Sequence, residues 1–421
     1  MQTVINPGKP ERLDQAAEMS HDILLPNIHE GRPMKWPAAR IAESSPKSFG
    51  MYEKATRMYP GDPEVIHLEV GRPDFDTPAH IKAAAKAALD AGKVHYGEFP
   101  GEHDLRAAIA ERVRDFNGIS AQPEDIIVTN GVTHASFAVM LASIDPGDEV
   151  ILLEPYYPQV INKIQLAGGT PVMVRLNADD GFSIDAKAIE AAITDRTRMI
   201  CIVNPNNPTG RTYTREELSA LADTAIRNDL LVCSDEVYER IVYANGRHIS
   251  IASLPGMHER TFSLFAFTKG YAMDGWRLGY VVACPKFIPA LLKVTMNDVS
   301  HVNTFIQAGG VAALRGDQGV VDSMVDQDRV RRDLVCSRLA RLPGFKCPVP
   351  QSGIYAFPDI RETGSSSQDL ADRLLFESKV VVESGAFYGS AGEGHLRLCF
   401  GSEPYARIAE ALDRIDLLFK C

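Results

Sequence analysis

Polar and aromatic residues follow five short apolar runs of this sequence, each at the point where the run ends. They lie at residues 130–133, 154–157, 204–210, 234–238 and 268–269. An amine can bond covalently to a carbonyl group, and a carboxylate can balance the charge of a ring. Such groups can also move protons when they lie close to phenols and amides. Ligands of open α/β sheets bind where the strands end at their carboxyl side. We therefore expect one ligand site at one edge of a sheet.

The elements that must position this site are short apolar strands separated by helices. The predicted strands are residues 126–129, 150–153, 199–203, 230–234, 262–267 and 278–283. Each run is too short for a buried helix, which is typical of strands covered on both faces. The predicted helices are residues 81–91, 105–116, 135–143 and 215–227. Helices between strands imply crossovers, so we predict an α/β fold with a mostly parallel central sheet covered by helices.

The pattern of predicted helices and strands changes after about residue 318. A long charged helix at 321–341 precedes alternating segments at 355–360, 380–383 and 395–400 and a closing helix at 404–419. We predict a second, smaller α+β domain built from residues 36–78 and 318–421, beside a large domain at residues 79–317. Residues 1–35 are predicted to be an N-terminal arm, and a short helix is expected near 37–43. The arm is either a loose tail or a segment that packs on a partner subunit.

Composition excludes several classes of protein. The 421 residues are 45% hydrophobic and 24% charged, which is an ordinary globular balance. The net charge of −11 disfavours nucleic acid and anionic membrane surfaces as partners. No apolar stretch reaches the length of a membrane span and no signal peptide is evident, so we expect a cytoplasmic protein. The seven cysteines form no CxxC pair, and we predict no metal site.

Three segments, taken in order, carry a resemblance to a known family. They are VNPNNPTG at 203–210, SDEVYE at 234–239 and FTKGYAMDGWRLGY at 267–280, flanked by IHLEVGRPDFDTP at 66–78 and GHLRLCF at 394–400. Together they resemble the fold-type I pyridoxal-phosphate enzymes, and specifically the class I/II aminotransferase family, also known as the aspartate aminotransferase superfamily. The resemblance covers roughly residues 38–418. It implies pyridoxal 5'-phosphate as the cofactor.

The resemblance assigns roles around the cofactor ring. Lys269 resembles the Schiff-base lysine, which also moves the proton from the substrate Cα. Asp235 resembles the carboxylate that keeps the pyridine nitrogen protonated. Tyr238 and Asn207 resemble the pair that hydrogen-bonds the phenolic oxygen. Tyr157 occupies the position where the family stacks an aromatic ring on the pyridine face.

A second group of residues is expected at the cofactor phosphate. Gly131, Val132 and Thr133 open a helix directly after a strand, where backbone N–H groups and the helix dipole suit an anion. Arg277 resembles the arginine that clamps this phosphate. The family usually has a serine where this chain has Ala266, and we expect Thr268 to compensate. Tyr96 resembles the tyrosine that reaches the phosphate of the neighbouring subunit.

Substrate binding is assigned to Arg397, assisted by Asn207 and the backbone at Gly71. Arg397 resembles the family's clamp for the α-carboxylate of the amino acid, because a guanidinium can grip a carboxylate with two parallel hydrogen bonds. Its alternative is an arginine in a structural ion pair. This clamp fixes rotation about the N–Cα bond of the substrate, and with it the bond that breaks.

The preferred side chain is less well defined by the sequence. Dicarboxylate-specific relatives commonly use an arginine from the segment after the lysine, but no Lys or Arg lies between Lys293 and Arg315 here. Glu98 and Asp298 would favour a neutral or cationic amino acid rather than a dicarboxylic one. Both could instead face solvent, and a basic residue could come from Arg72 or the arm.

The resemblance therefore implies an aminotransferase of amino acid metabolism or biosynthesis. It would move the amino group of an L-amino acid to a 2-oxo acid by a ping-pong Schiff-base mechanism, as a homodimer with shared active sites. The alternative is a lyase, cyclase, decarboxylase or oxidase that uses the same cofactor site. A regulator that only senses the cofactor is disfavoured, because residues 1–48 are too short and too rich in proline for a DNA-binding domain.

Overall fold

The structure is a computed structural model that describes residues 36–42, 44, 50–243 and 248–420. The described residues 36–42 belong to one unit, and the described residues from 44 onward belong to another. The described part of the first unit contains the helix α1 (Ala39–Ala42). This helix falls within the predicted stretch 37–43, of which Glu43 lies outside the described residues. The predicted arm at 1–35 also lies outside them.

Helices make up much of the second unit. In chain order they are α2 (Met51–Met58), α3 (Ala79–Asp90), α4 (His103–Arg112), α5 (Gly131–Ser143), α6 (Gln159–Leu166), α7 (Ala186–Ala191), α8 (Arg215–Arg227), α9 (Ile288–Asp298), α10 (Thr304–Arg315), α11 (Gly319–Leu339), α12 (Ser367–Ser378) and α13 (Tyr405–Leu418). The start of α8 is fixed by a capping box, in which the Glu217 N–H donates to Thr214 Oγ1 at 3.2 Å and the Thr214 N–H donates to Glu217 Oε2 at 2.8 Å.

Strands of the second unit form one large sheet and two small ones. In chain order they are β1 (Ile66–His67), β2 (Ile126–Thr129), β3 (Glu149–Glu154), β4 (Thr170–Arg175), β5 (Thr197–Val203), β6 (Leu231–Asp235), β7 (Thr261–Ala266), β8 (Gly279–Ala283), β9 (Tyr355–Ala356), β10 (Val380–Val381), β11 (Glu383–Ser384) and β12 (Leu396–Cys399). The small sheets are β1-β10 and β11-β12-β9.

The large sheet has seven strands in the order β2-β8-β7-β6-β5-β3-β4. The pairs β7-β6, β6-β5, β5-β3 and β3-β4 are parallel. The strand β8 runs antiparallel to both of its neighbours, β2 and β7. The expected α/β fold with a mostly parallel sheet and helical cover is therefore confirmed.

Alternate residues of the same strands enter clusters on opposite faces of the large sheet, as the pleat requires. Ile151 and Ile200 pack with residues of α8, whereas Val150 and Met199 pack with residues of α5 and α6. A further cluster joins β2 and β8 to α4. Both faces of the strands are covered, which explains why their sequences read as continuous apolar runs.

Another hydrophobic cluster contains α2, β1 and the elements from α11 to α13. Its residues come from both ends of the second unit, and it also takes in Tyr238, Ile241 and Tyr243 from the segment after β6. The predicted boundaries between a large and a small domain stay a prediction.

The strand β4 was not among the predicted strands. It is an edge strand whose residues are mostly exposed or half-buried, and it contains Pro171, which is typical of edge strands. In the described part of the chain, no helix is long and apolar enough to cross a membrane.

Candidate active site

Four parallel strands of the large sheet end at one edge, and the residues predicted to bind the ligand follow them. The register pairs Val203, the last residue of β5, with Asp235, the last residue of β6. Tyr157 follows β3, and Lys269 follows β7. Arg277 reaches the same edge from the opposite direction, because it precedes the antiparallel strand β8.

Lys269 is half-buried, and its amine donates a hydrogen bond to the carbonyl oxygen of Gly71. Burial lowers the pKa of Lys269 below its ordinary value, and the positive charges of Arg397 and Arg277 act in the same direction. The neutral form of the amine, which is the nucleophilic and proton-accepting form, is therefore favoured.

Asp235 ends β6, and its Oδ1 accepts a hydrogen bond from the N–H of Val237 at 3.1 Å. Burial raises the pKa of Asp235 to about 6, although Lys163 and Lys269 favour the ionised form. Asp235 is half-buried, and a carboxylate that is partly removed from water gains stability from a cationic partner. The cavity beside it is also lined by Thr133, Tyr157 and Asn206.

Arg397 lies on β12 and is buried, with Glu383 of β11 as its partner across the strands. Its Nη1 donates to Asn207 Oδ1 at 3.2 Å, and its Nη2 donates to the carbonyl oxygen of Glu69. Its Nε is buried without a hydrogen-bond partner among the described residues. A buried donor of this kind costs free energy until an acceptor reaches it, which is the situation expected at an anion-binding site.

Aromatic rings surround this guanidinium. Its central carbon lies 4.4 Å from the ring centroid of Tyr355 and 4.9 Å from that of Tyr388. The hydroxyl groups of Tyr355 and Tyr238 share a hydrogen bond of 2.7 Å. Tyr238 is thereby connected through Tyr355 to Arg397, and both tyrosines are buried.

Gly131 and Arg277 form a cradle at the first residue of α5. Gly131 has a φ of +79°, and a Cβ atom built on it would lie 2.7 Å from Arg277 Nη2. The first N–H groups of a helix have no partner within the helix. Here the guanidinium of Arg277 lies close to the first residue of the helix. Val132 and Thr133 are the next two residues of α5, so this end of the helix suits a phosphate.

Tyr157 is half-buried at the end of β3. Burial raises its pKa, and Arg397, Asp235 and Arg277 all lie close enough to influence that pKa. Its hydroxyl group therefore lies among the charged groups of the site. Thr268 is half-buried directly before Lys269.

Tyr96 is not brought into this cluster within the single chain. It is 91% exposed, and its ring contacts the ring of His301 edge-on, at 5.4 Å between centroids. Two carboxylates considered for substrate selection also have partners. Glu98 Oε2 accepts from Arg106 Nη2 at 2.7 Å, and Asp298 Oδ2 lies 3.4 Å from His134 Nε2.

Sequence reasoning missed Tyr355, Tyr388, Glu383 and Lys163 as neighbours of the site. Tyr355 was placed only in an alternating strand segment, and no spacing signal connects it with Tyr238, which lies 117 positions earlier. A Cβ atom on Gly71 would overlap the hydroxyl group of Tyr355, so the glycine at 71 was the one local hint of a close approach. No group of three or more metal-ligating residues occurs within the described ranges.

Comparisons with known proteins agree with this geometry. The family described as aminotransferase class I and II matches residues 63–415. An aspartate aminotransferase of Pyrococcus abyssi is 38% identical over 363 residues, which cover 86% of this chain and 93% of the relative. An arginine–pyruvate transaminase of Pseudomonas aeruginosa is 37% identical over 380 residues, covering 90% of this chain and 96% of the relative.

Solved structures give the same result. The aromatic aminotransferase from Pyrococcus horikoshii has a TM-score of 0.83 and 38% identity, covering 87% of this chain and 98% of that one. The aspartate aminotransferase from Thermus thermophilus with maleate has a TM-score of 0.86 and 34% identity, covering 91% of this chain and 100% of that one. Since both the sequence and the fold match over most of their length, this chain belongs to the class I and II aminotransferase family and is a transaminase that depends on pyridoxal 5'-phosphate.

Proposed function

We propose that this enzyme moves the amino group of a neutral or cationic L-amino acid to a 2-oxo acid, in two half-reactions at the site around Lys269 and Arg397. The observation that carries this proposal is that the lysine amine and the arginine guanidinium both end on the short backbone segment 69–71. Burial lowers the pKa of the Lys269 amine, which favours its neutral form, and Arg397 Nε is a buried donor with no hydrogen-bond partner among the described residues. An amino acid offers an amine and a carboxylate to the same place.

The residues present fit pyridoxal phosphate. The cofactor carries a phosphate, a basic ring nitrogen, a phenolic oxygen and an aldehyde, and the site offers a partner for each. The cradle at Gly131 and Arg277 is a space that a Cβ atom would fill, and the Asp235 carboxylate is half-buried, with its pKa raised by partial removal from water. The residues proposed to hold the cofactor are Gly131, Val132, Thr133, Thr268 and Arg277 at the phosphate, Asp235 at the ring nitrogen, Tyr157 at the ring face, Tyr238 and Asn207 at the phenolic oxygen, and Lys269 at the aldehyde.

When bound, the cofactor would supply an aldehyde that captures the substrate amine and a ring that withdraws electrons from Cα. The protein residues orient the substrate and move its proton. Arg397 would grip the α-carboxylate, with Asn207 and the backbone of Gly71 beside it. The neutral amine of Lys269 would then accept the proton from the substrate Cα, and the lowering of its pKa by burial favours this neutral form.

The preference for a neutral or cationic side chain rests on this chain's own residues. The relatives' names cover aspartate, aromatic and arginine substrates, so they do not select among these classes. No Lys or Arg lies between Lys293 and Arg315 to hold a second carboxylate. Asp298 is an acidic residue within this segment, and Glu98 is the second acidic residue proposed to act in selection, although Arg106 already balances the charge of Glu98.

A half-reaction screen tests this function and the proposed selectivity. The holoenzyme is mixed with single amino acids, and 2-oxo acid formation is measured against enzyme concentration in the absence of an acceptor. We expect one oxo acid per active site, with arginine, alanine or aromatic donors faster than aspartate and glutamate. Faster reaction with aspartate would contradict the selectivity, whereas release of ammonia or carbon dioxide in place of an oxo acid would contradict transamination.

We further propose a homodimer in which Tyr96 of each copy completes the phosphate site of the other. The supporting observation is that Tyr96 is 91% exposed, with Val94 at 60% and Phe99 at 49% close by in sequence. Three large apolar side chains so exposed within a few residues are typical of a surface that another protein covers. The residues of the arm at 1–35 remain candidates for further contacts with the partner.

A further inference from the structure

One lysine and one aspartate line the same cavity next to the proposed cofactor site. Of the described residues that line this cavity, Lys163 and Asp235 alone have charged side chains. Much of the remaining lining is apolar, with Met140, Leu152 and Val160 among its residues. Opposite charges attract strongly in such surroundings, because little water is present to screen them.

Lys163 is held in place by α5. It lies on α6 and is only 7% exposed, and its Nζ donates to Ser136 Oγ at 2.6 Å. Ser136 Oγ in turn donates to the carbonyl oxygen of Val132 at 2.8 Å. The lysine is thereby tied to the first turn of α5, which is the turn proposed to bind the cofactor phosphate. A buried ammonium is costly unless its charge is balanced nearby.

Several charged and titratable groups influence Asp235, and they do not act in the same direction. They are Lys163 of α6, Glu236 next in sequence, Lys269 after β7, Tyr157 after β3 and Tyr238 after β6. Burial and Glu236 favour the protonated carboxyl group, whereas Lys163 and Lys269 favour the carboxylate. Of these two lysines, Lys163 has the larger influence. Lys269 is the residue proposed to bond to the cofactor, whereas Lys163 takes no part in that bond.

We propose that Lys163 is a positioning residue that keeps the Asp235 carboxylate ionised, so that this carboxylate can accept a hydrogen bond from the protonated ring nitrogen of the cofactor. The inference rests on the role proposed for Asp235. Lys163 does not touch the reacting atoms in this scheme. It acts through Asp235, and its loss changes the pH range in which the cofactor is held.

The test measures cofactor affinity, which does not depend on turnover. Dissociation constants of pyridoxal phosphate are measured by equilibrium dialysis from pH 5.5 to 8.5 for the wild type and for Lys163→Met, which is apolar and of similar length. Affinity should fall as the pH drops through the pKa of Asp235, since a protonated carboxyl group no longer balances the ring cation. In Lys163→Met this fall should begin about one pH unit higher, because an attractive charge has been removed.

Two variants serve as controls. Lys163→Arg keeps the charge and should restore the wild-type pH midpoint, whereas a merely structural role would leave it impaired. Lys286→Met removes an exposed lysine and should leave the midpoint unchanged. If Lys163→Met melts below the assay temperature, Lys163→Gln takes its place with the same expectation.

The variant Asp235→Asn distinguishes a failure of the proposed role of Asp235 from a failure of the inference about Lys163. If it binds the cofactor as tightly as the wild type and retains turnover, the proposed role of Asp235 is wrong. If it binds weakly while Lys163→Met shows the wild-type pH midpoint, the inference about Lys163 is overturned and the role of Asp235 stands.

Discussion

Gly131 and Arg277 approach so closely that a side chain at position 131 would displace the guanidinium. The Cβ atom would lie 2.7 Å from Arg277 Nη2, at a backbone φ of +79° that L-residues other than glycine rarely adopt. The glycine therefore serves two purposes, since it lets the chain turn from β2 into α5 and lets the arginine lie over the start of the helix.

Gly131→Ala should weaken cofactor binding by about tenfold or more. The new methyl group would displace Arg277, whose charge-assisted hydrogen bond to the phosphate is worth about 1.5–3 kcal/mol. The dissociation constant of pyridoxal phosphate measures the effect. Gly147→Ala is the matched control, because Gly147 also has a positive φ, +97°, but nothing lies within 4 Å of its Cβ position. Gly147→Ala should bind the cofactor like the wild type, and an equally high affinity of Gly131→Ala would contradict the proposed cradle.

Lys269→Ala should abolish both turnover and the visible absorbance of the bound cofactor, because the amine that bonds to the aldehyde is gone. The absorbance spectrum and the steady-state rate measure these two effects. Lys286→Ala, at an exposed lysine, should retain both. Substantial residual turnover of Lys269→Ala would remove the central assignment.

Arg397→Ala should raise the Michaelis constants of both the amino acid and the oxo acid by about a hundredfold, since two charge-assisted hydrogen bonds to the carboxylate are lost. It should also lower reaction specificity, which is measured as side products per transamination. Arg397→Lys keeps the charge but not the planar pair of donors, and should recover only part of the loss. Unchanged Michaelis constants in Arg397→Ala would refute the clamp.

The stability of the protein should depend on Glu383. Burial raises the pKa of this carboxyl group to about 7, although hydrogen bonds from the Met51 and Ser384 N–H groups and the charge of Arg397 oppose the rise. Because the folded-state pKa is the higher one, the folded protein binds more protons, and this stabilising contribution is lost as the pH rises from about 4.5 to 7.

Glu383→Gln should remove this pH dependence. The melting temperature of the wild type relative to that of the variant should be lower at pH 8 than at pH 5, by an amount equivalent to about 2 kcal/mol. Parallel melting curves of the two proteins across this range would show that the carboxyl group titrates normally.

Tyr96→Phe and Tyr96→Ala test the contact proposed across the dimer. Light scattering should give a dimer for the wild type, and both variants should bind pyridoxal phosphate more weakly, by up to about tenfold, because one hydrogen bond to the phosphate is lost. An active wild-type monomer would contradict the shared site.

The sequence predicted the strands of the large sheet well, because strands covered on both faces leave uninterrupted apolar runs. The edge strand β4 was not predicted, and Val174 is the only one of its residues that is buried. The apolar helical stretch was predicted only from residue 135, but Gly131, Val132 and Thr133 were also expected to open a helix after the strand, and α5 does begin at Gly131.

Lys269, Asp235 and Arg397 were assigned through the resemblance to the family, and their roles stay predictions. Residues that act by proximity could not be found in this way. Tyr355 and Lys163 look like ordinary strand and helix residues, and their position beside Tyr238 and Asp235 results from the packing of elements far apart in the sequence.

Because β8 runs antiparallel to β7, the enzyme should tolerate insertions between these two strands poorly. Lys269 follows the end of β7 and Arg277 precedes the start of β8, so the connection at residues 267–278 carries both groups, and the paired strands β7 and β8 hold its two ends together. Lengthening this connection would uncouple the two groups, even if every side chain in it were preserved. Insertions here should be far less tolerated than insertions at the surface turn around Gly147, where the chain has open space.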